Sequence, residues 1–162
     1  MDKKLKATIK YIIDIKRVNS VTPKKLQKLL YYVQAWHLAL TAENNTESEI
    51  NRSLLFNSEF EAWVHGPVIP EVYEEYKSLK ASVIEFSGFD DENLITLLND
   101  DELANINDVL DTYGSFNGSD LEALSHDEAP WREARNGLGP LDSSNKAISN
   151  KTMFEYYSAR LV

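Results

Sequence analysis

The sequence predicts a mainly α-helical (α+β) fold: a single-domain helical bundle around one central apolar helix, with a small β-hairpin. Three observations predict it. The chain has 162 residues, of which 43% are hydrophobic, which suffices for one core and leaves little length for a second domain. Apolar residues recur at helical spacing along most of the chain, and one segment, 56–64, alternates partly between apolar and polar side chains as a strand does. Residues 1–162 are therefore expected to form one domain.

The first two predicted helices carry the clearest patterns. Residues 3–17 place Leu5, Ile9 and Ile12 on one face, and the other side is basic, with Lys3, Lys6, Lys10 and Arg17. Thr22-Pro23 supplies a hydroxyl N-cap and a proline at the first helical position, which predicts a helix over 23–41. Two apolar stripes cover most sides of that helix and make it the expected central helix; they comprise Leu26, Leu30, Val33, His37 and Leu40, and Leu29, Tyr32, Trp36 and Ala39.

The small β element is predicted from residues 56–64, where Phe60, Ala62 and Val64 face one way. The polar residues 41–53 before it are predicted to be a loop. His65-Gly66-Pro67 is predicted to be a turn, and residues 83–89 a second short strand that pairs with the first.

Five further helices are predicted, four of them from start and stop signals. One begins at Pro70. Another is indicated within the acidic stretch 90–111 and stops near Gly114; its helical spacing is that of Leu103, Ile106, Val109, Leu110 and Tyr113. A capping-box pattern formed by Ser119 and Glu122 opens a short helix over 120–126, and Pro130 opens the next, which includes Trp131. The last helix covers about residues 149–160. In all the predicted helices together, six apolar side chains are predicted to be buried: Leu26, Leu30, Val33, Ile106, Leu110 and Phe154.

Composition and charge exclude several classes of function. Without cysteine, the chain has no disulfide framework, thiol nucleophile or cysteine-based metal site. The net charge is −9, yet residues 1–28 hold nine basic and two acidic side chains. Most of the molecule would repel a phosphate backbone, and the basic segment is more typical of a solvated helix face. A missing signal sequence and the lack of a long apolar stretch predict a soluble cytoplasmic protein.

The three histidines, His37, His65 and His126, are the remaining candidates for catalysis or metal binding. Their spacing gives no local support for a metal site, so no metal ligands, catalytic residues or cofactor are predicted. His37 lies on an apolar stripe and is expected to be a core histidine with a hydrogen-bond partner. His126 ends a short helix, where a partly charged imidazole is favoured.

The aromatic residues point to binding instead. Tyrosine and tryptophan are favoured both in cores and at interface hot spots, and prolines on both sides of Val68-Ile69 predict a rigid, apolar chain reversal. A surface that binds another protein is therefore predicted from Tyr31, Trp36, Trp63, His65, Val68, Ile69, Tyr73 and Trp131. A second candidate docking surface is the acidic stretch 90–111.

Three motifs in order resemble a known family. They are TPKKLQKLLYYVQAWHLAL (22–40), FEAWVHGPVIPEVYEEYK (60–77) and LEALSHDEAPWREAR (121–135). Together they resemble the Panacea domain, also called the SocA-like antitoxin domain, over about residues 5–160. The resemblance implies a mostly helical module that is not an enzyme and has no established catalytic residues. It also implies a cognate toxin as partner, neutralised by direct contact, and for at least one branch an adaptor role that delivers the toxin to a AAA+ protease.

Two other functions stay open beside this one. A hydrolase could use the histidines with carboxylates, and convergence of the three histidines in the fold would favour it. A phage-derived regulator could bind nucleic acid through Lys3, Lys6, Lys10, Lys24, Lys25 and Lys28, and one broad exposed patch of these lysines would favour that function. The sequence does not indicate the oligomeric state.

Overall fold

The computed structural model describes residues 1–161, and helices dominate it. The helices are α1 (Lys3–Lys10), α2 (Pro23–Thr41), α3 (Glu47–Arg52), α4 (Pro70–Tyr76), α5 (Asp100–Tyr113), α6 (Gly118–His126), α7 (Ala129–Ala134) and α8 (Asn150–Ser158). A π-helical turn covers Tyr11–Ile15, and 3-10 turns cover Lys77–Leu79 and Glu92–Leu97. Strands β1 (Glu61–Trp63) and β2 (Gly66–Val68) form an antiparallel hairpin. The predicted mainly α fold with a small hairpin is confirmed.

Helix α2 is the centre of the core, as predicted. Its N-cap is Thr22, whose side chain accepts a hydrogen bond from the Lys25 N–H, and it packs against α8, α5, α6, α4, α1 and β2. Leu26, Leu30 and Val33 are buried. Burial on nearly all sides explains why polar residues of this helix are also enclosed; these are Lys25, Gln27, Lys28, Gln34 and His37.

The first helix is shorter than predicted. The α-helical part ends at Lys10, and the chain continues as the π-helical turn before Arg17 and Ser20 adopt positive φ angles of 52° and 54°. Lys10 is not on a solvated face: it is buried, and its ammonium donates to the Phe89 carbonyl oxygen at 2.7 Å.

The hairpin uses a different partner strand from the predicted one. Strand β1 pairs with the adjacent β2 in the register Trp63↔Gly66 and Glu61↔Val68, so Gly66 and Pro67 belong to a strand and the turn lies at Val64-His65. Residues 83–89 are not a strand. Side-chain hydrogen bonds hold them instead, including the Ser87 N–H and hydroxyl donating to the Asp14 carboxylate at 2.8 and 2.6 Å.

Two helix starts also differ from the predictions. The predicted loop 41–53 contains α3, whose N-cap Thr46 accepts from the Glu49 N–H. Helix α6 begins at Gly118, after the N-cap Asn117, because the Asn117 side chain accepts from the Asp120 N–H at 2.8 Å. The Glu122 carboxylate, predicted to belong to a capping box, faces Lys24 and His65.

The predicted core is confirmed with two exceptions. Ile106 and Leu110 are buried, but Phe154 is only partly buried against the core and Leu40, at the end of α2, is 51% exposed. Beneath α8, a polar network crosses the aromatic core: one Glu128 carboxylate oxygen accepts from the Tyr32 and Tyr157 hydroxyls at 2.5 and 2.9 Å. Burial raises the pKa of Glu128, and these two hydrogen bonds oppose that shift.

Candidate functional site

A groove lies between the first turns of α2, the β-hairpin, α4 and residues 143–145. Its volume is about 800 Å³, within the range of pockets that hold a ligand or several side chains. We call it the α2–hairpin groove. Its lining comprises Pro23, Lys24, Gln27, Lys28, Trp63, Val64, His65, Val68, Val72, Tyr73, Lys77, Lys80, Ser143, Ser144 and Asn145.

Buried hydrogen bonds fix the walls of this groove. The Gln27 side chain on α2 accepts from the Ile69 N–H at 2.8 Å and donates to the Ile69 carbonyl oxygen at 3.1 Å. This pairing attaches the end of the hairpin to the central helix. Trp63 and Tyr73 then pack edge to face with ring centroids 5.0 Å apart. Because β1 and α4 are both held, their aromatic rings form one continuous wall.

A buried arginine holds the opposite wall. The Arg135 guanidinium donates to the Ala62 carbonyl oxygen at 2.8 Å and to the Gly139 and Asp142 carbonyl oxygens at 3.2 and 2.6 Å. It therefore connects the hairpin to the loop that leads to residues 143–145. The Trp131 indole N–H reinforces the same corner by donating to the Trp63 carbonyl oxygen at 2.9 Å.

The lining of the groove is basic although the chain carries a net charge of −9. Four lysines line it, and no aspartate or glutamate is among its lining residues. Carboxylates outside the lining pair with two of the lysines: Lys24 pairs with Glu122, and the Lys77 ammonium lies 2.5 Å from Glu74. Within residues 1–161, the charges of Lys28 and Lys80 remain uncompensated by such pairs.

Lys28 is the most unusual of the four lysines because it is 2% exposed. Its ammonium donates to the Pro67 carbonyl oxygen at 3.1 Å. Burial lowers the pKa of Lys28 to about 7; the Glu122 carboxylate opposes that shift and Lys24 adds to it. Desolvation disfavours the charged form of a lysine, so this side chain titrates near neutral pH.

Gly66 makes room for Lys28. Its φ is +105°, and a Cβ at this position would lie 2.7 Å from Lys28 Cε and 3.3 Å from Ser125 Oγ. We expect Gly66→Ala to destabilise the protein by about 2 kcal/mol, through strain at positive φ and crowding of the lysine. Urea unfolding monitored by tryptophan fluorescence measures this loss.

Gly88→Ala is the matched control for that substitution. Gly88 also has a positive φ, +86°, but nothing lies within 4 Å of the Cβ position. It should lose only the strain energy of about 1 kcal/mol. Equal losses for the two variants would show that the Lys28 side chain moves aside without cost.

The histidines divide between two places. His65 Nδ1 lies 3.2 Å from Glu122 Oε2, and His126 stacks on Trp131 with ring centroids 3.8 Å apart. His37 lines a different, polar cavity. The three therefore do not converge, and the condition that would favour a hydrolase is not met.

The expectation about His126 needs correction, whereas the one about His37 does not. Burial lowers the pKa of His126, so the structure favours the neutral imidazole there rather than the charged form expected at a helix C-terminus. Burial also lowers the pKa of His37, but its Nδ1 has no hydrogen-bond partner among the described residues. His37 is buried and its imidazole has a backbone hydrogen bond with Ser53, so the prediction of a core histidine with a hydrogen-bond partner is confirmed.

The structure brings four of the eight predicted binding residues together. Trp63, His65, Val68 and Tyr73 line the groove. Tyr31 and Ile69 are buried, at 1% and 2% exposure, and lie in the core. The remaining two, Trp36 and Trp131, are partly buried against the core and do not line the groove.

Sequence reasoning missed the groove lysines Lys77 and Lys80, and it considered Lys24 and Lys28 only as contacts to nucleic acid. For Lys28 a signal was present: two apolar stripes predict that α2 is covered on most sides, and Lys28 lies on that helix and is buried. The one broad exposed lysine patch that would favour nucleic-acid binding does not form, since Lys10, Lys25 and Lys28 are buried. Lys4, near the other lysines of α1, pairs with Glu102 at 2.7 Å.

Two further observations concern the described residues alone. Among residues 1–161, no group of three or more histidine, aspartate or glutamate side chains is placed to hold a metal ion. None of the helices in the same range combines the length and hydropathy needed to cross a bilayer.

Comparison with known proteins identifies the family. A family model described as "Antitoxin SocA-like, Panacea domain" matches residues 26–132, which is more than half of the chain and includes most of α2, the hairpin, α4, α5 and α6. No curated protein and no solved structure gives a significant match. The predicted resemblance is thus confirmed over most of the expected range, and the chain belongs to the SocA-like antitoxin family with the Panacea domain.

Proposed function

We propose that this chain is a cytoplasmic antitoxin module that neutralises a cognate toxin by direct contact, and that the α2–hairpin groove is the contact surface. The observation that carries the proposal is the convergence of Trp63, His65, Val68 and Tyr73 in one groove of a chain that belongs to an antitoxin family. Tyrosine and tryptophan in a partly apolar groove are the residue types that dominate binding energy at protein interfaces.

The proposed mechanism is occlusion without chemistry. The toxin inserts a segment into the groove, and the bulk of the antitoxin then covers the functional surface of the toxin. Tyr73 is 41% exposed before binding, so its ring can be desolvated by a partner, and such burial acts mainly on the dissociation rate. The chain supplies the surface, and no bond is made or broken.

Co-expression with a neighbouring reading frame that is toxic when expressed alone tests this proposal. The native chain should restore growth and co-purify with the toxin. Tyr73→Ala should weaken the complex at least tenfold, as expected for the loss of an aromatic hot spot, and should abolish the rescue at low expression. Calorimetry on the purified pair measures the change in Kd.

Phe116→Ala is the control, because Phe116 is an aromatic residue with a similar exposure of 43% outside the groove lining. It should leave growth and Kd unchanged. If the native chain neither rescues growth nor co-purifies, toxin neutralisation by contact is wrong. If both variants bind equally well, the toxin contacts another surface.

The family resemblance also implies an adaptor role, and the amount of toxin in the cell distinguishes this role from occlusion alone. Under occlusion alone, the toxin accumulates in the complex whether or not the host's AAA+ proteases are present. Delivery to a protease predicts that the toxin disappears when the antitoxin is expressed and returns in a protease-deficient host. A pulse-chase measurement of toxin half-life in the two hosts distinguishes the routes.

A further inference from the structure

The charge of the α2–hairpin groove is opposite to the charge of the whole molecule. An acidic protein attracts basic partners at long range, but the four lysines that line the groove favour an acidic segment of the partner at short range. After pairing with Glu74 and Glu122, the groove retains Lys28 and Lys80, and the exposed His65 stands at its edge. A basic segment would therefore meet repulsion inside this groove.

The Lys28 ammonium is buried and only partly hydrogen-bonded. An ammonium carries three donors, and one of them is used on the Pro67 carbonyl oxygen. Around it lie Lys24 on the same helix, Glu122, Ser125 and His126 on α6, and Gly66 of the hairpin. Glu122 is already engaged by Lys24 and His65. A buried charge with one neutral acceptor is costly unless a counter-charge joins it.

We propose that the α2–hairpin groove receives an acidic, apolar segment of the toxin, with a carboxylate of that segment placed against Lys28 and Lys80 and an apolar side chain against Trp63 and Tyr73. The inference rests on the proposed function and names the chemistry of the partner. Charge-assisted hydrogen bonds to a carboxylate are the strong ones, and the aromatic wall supplies the apolar contact.

The bound carboxylate should change the protonation of Lys28. A nearby negative charge favours the ammonium form, so the complex takes up a proton when it forms above about pH 7, where free Lys28 is losing its proton. The Kd should therefore rise with pH above 7, by up to tenfold per pH unit. His65→Gln should keep this dependence and Lys28→Met should remove it.

The segment itself can be identified in the complex of the two full chains. A photo-crosslinking benzoylphenylalanine placed at Tyr73 should capture one toxin segment, which mass spectrometry then identifies. We expect that segment to contain at least one aspartate or glutamate beside apolar residues. A crosslink to a basic segment or to a second copy of this chain overturns the inference.

A charge-reversal experiment at Lys80 is the second test of the inference. Lys80 is exposed, so Lys80→Glu should fold normally and raise the Kd about tenfold, and changing the captured carboxylate to lysine should restore binding. Lys151→Glu, an exposed lysine on α8 outside the groove, should have no effect. If no complex forms at all, the proposed function fails and this inference fails with it. If the complex forms but the Lys80→Glu variant binds the toxin as tightly as the native chain or more tightly, the inference of an acidic segment is wrong and the proposed function is unaffected.

Discussion

Leu30→Ala is expected to lower the free energy of unfolding by about 2–5 kcal/mol. Leu30 is fully buried on α2, the helix that contacts most of the other elements. Truncation removes buried methyl groups and leaves a cavity that a helix held on several sides cannot collapse. Urea unfolding with circular dichroism at 222 nm should show a lower midpoint with an unchanged slope.

Leu40→Ala makes the same chemical change on the same helix and serves as the control. Leu40 is 51% exposed, so its truncation should change the free energy of unfolding by no more than about 0.5 kcal/mol. The contrast isolates burial from helix propensity. Losses of similar size for the two variants would contradict the central position of α2.

Lys28→Met is expected to stabilise the protein, by about 1–4 kcal/mol at pH 6. Methionine has a similar length and fills the same space, and it removes a charge that is costly to bury. Loss of the donor to the Pro67 carbonyl oxygen offsets part of this gain, because an unpaired buried acceptor costs about 1–3 kcal/mol.

The gain from Lys28→Met should depend on pH. The pKa of Lys28 is about 7 in the folded chain and 10.5 for a free lysine. Below pH 7 both states hold the proton and the native chain bears the full cost of the buried charge. Between pH 7 and 10.5 the unfolded chain binds more protons, so native stability rises with pH and the advantage of Lys28→Met shrinks.

Denaturant titrations of both proteins between pH 6 and 9 measure this convergence. Lys151→Met replaces an exposed lysine, and its effect should stay within about 0.5 kcal/mol at every pH. A destabilised Lys28→Met variant with a pH-independent difference would mean that Lys28 is a structural hydrogen-bond donor and nothing more.

The parts of the fold that local signals determine were predictable. The Thr22 cap with Pro23 and the two apolar stripes gave the start and the central position of α2, because capping and periodicity act within a few residues. Gly114 as the end of α5 followed from the same kind of signal. The start of α4 at Pro70 was predictable for the same reason, because proline favours the first turn of a helix.

The parts that depend on distant partners were not predictable in this way. Residues 83–89 have the composition of a strand, yet Ser87 is held by Asp14, which is far away in sequence. The groove has the same origin: α2, the hairpin, α4 and residues 143–145 supply its walls, and periodicity within one segment does not show which segments meet. The aromatic type of Tyr31 serves cores and interfaces equally, and the prolines around Ile69 predict a rigid turn without showing whether its side chains are exposed.

The position of Arg135 limits how far the chain can be truncated to the residues that the family model matches. The family match ends at residue 132, three positions before the guanidinium that ties Ala62 to Gly139 and Asp142. A fragment cut at that boundary would lose this tie, residues 143–145 and α8, which packs on α2. The range that the family model matches is therefore shorter than the chain that must be expressed to keep the groove intact.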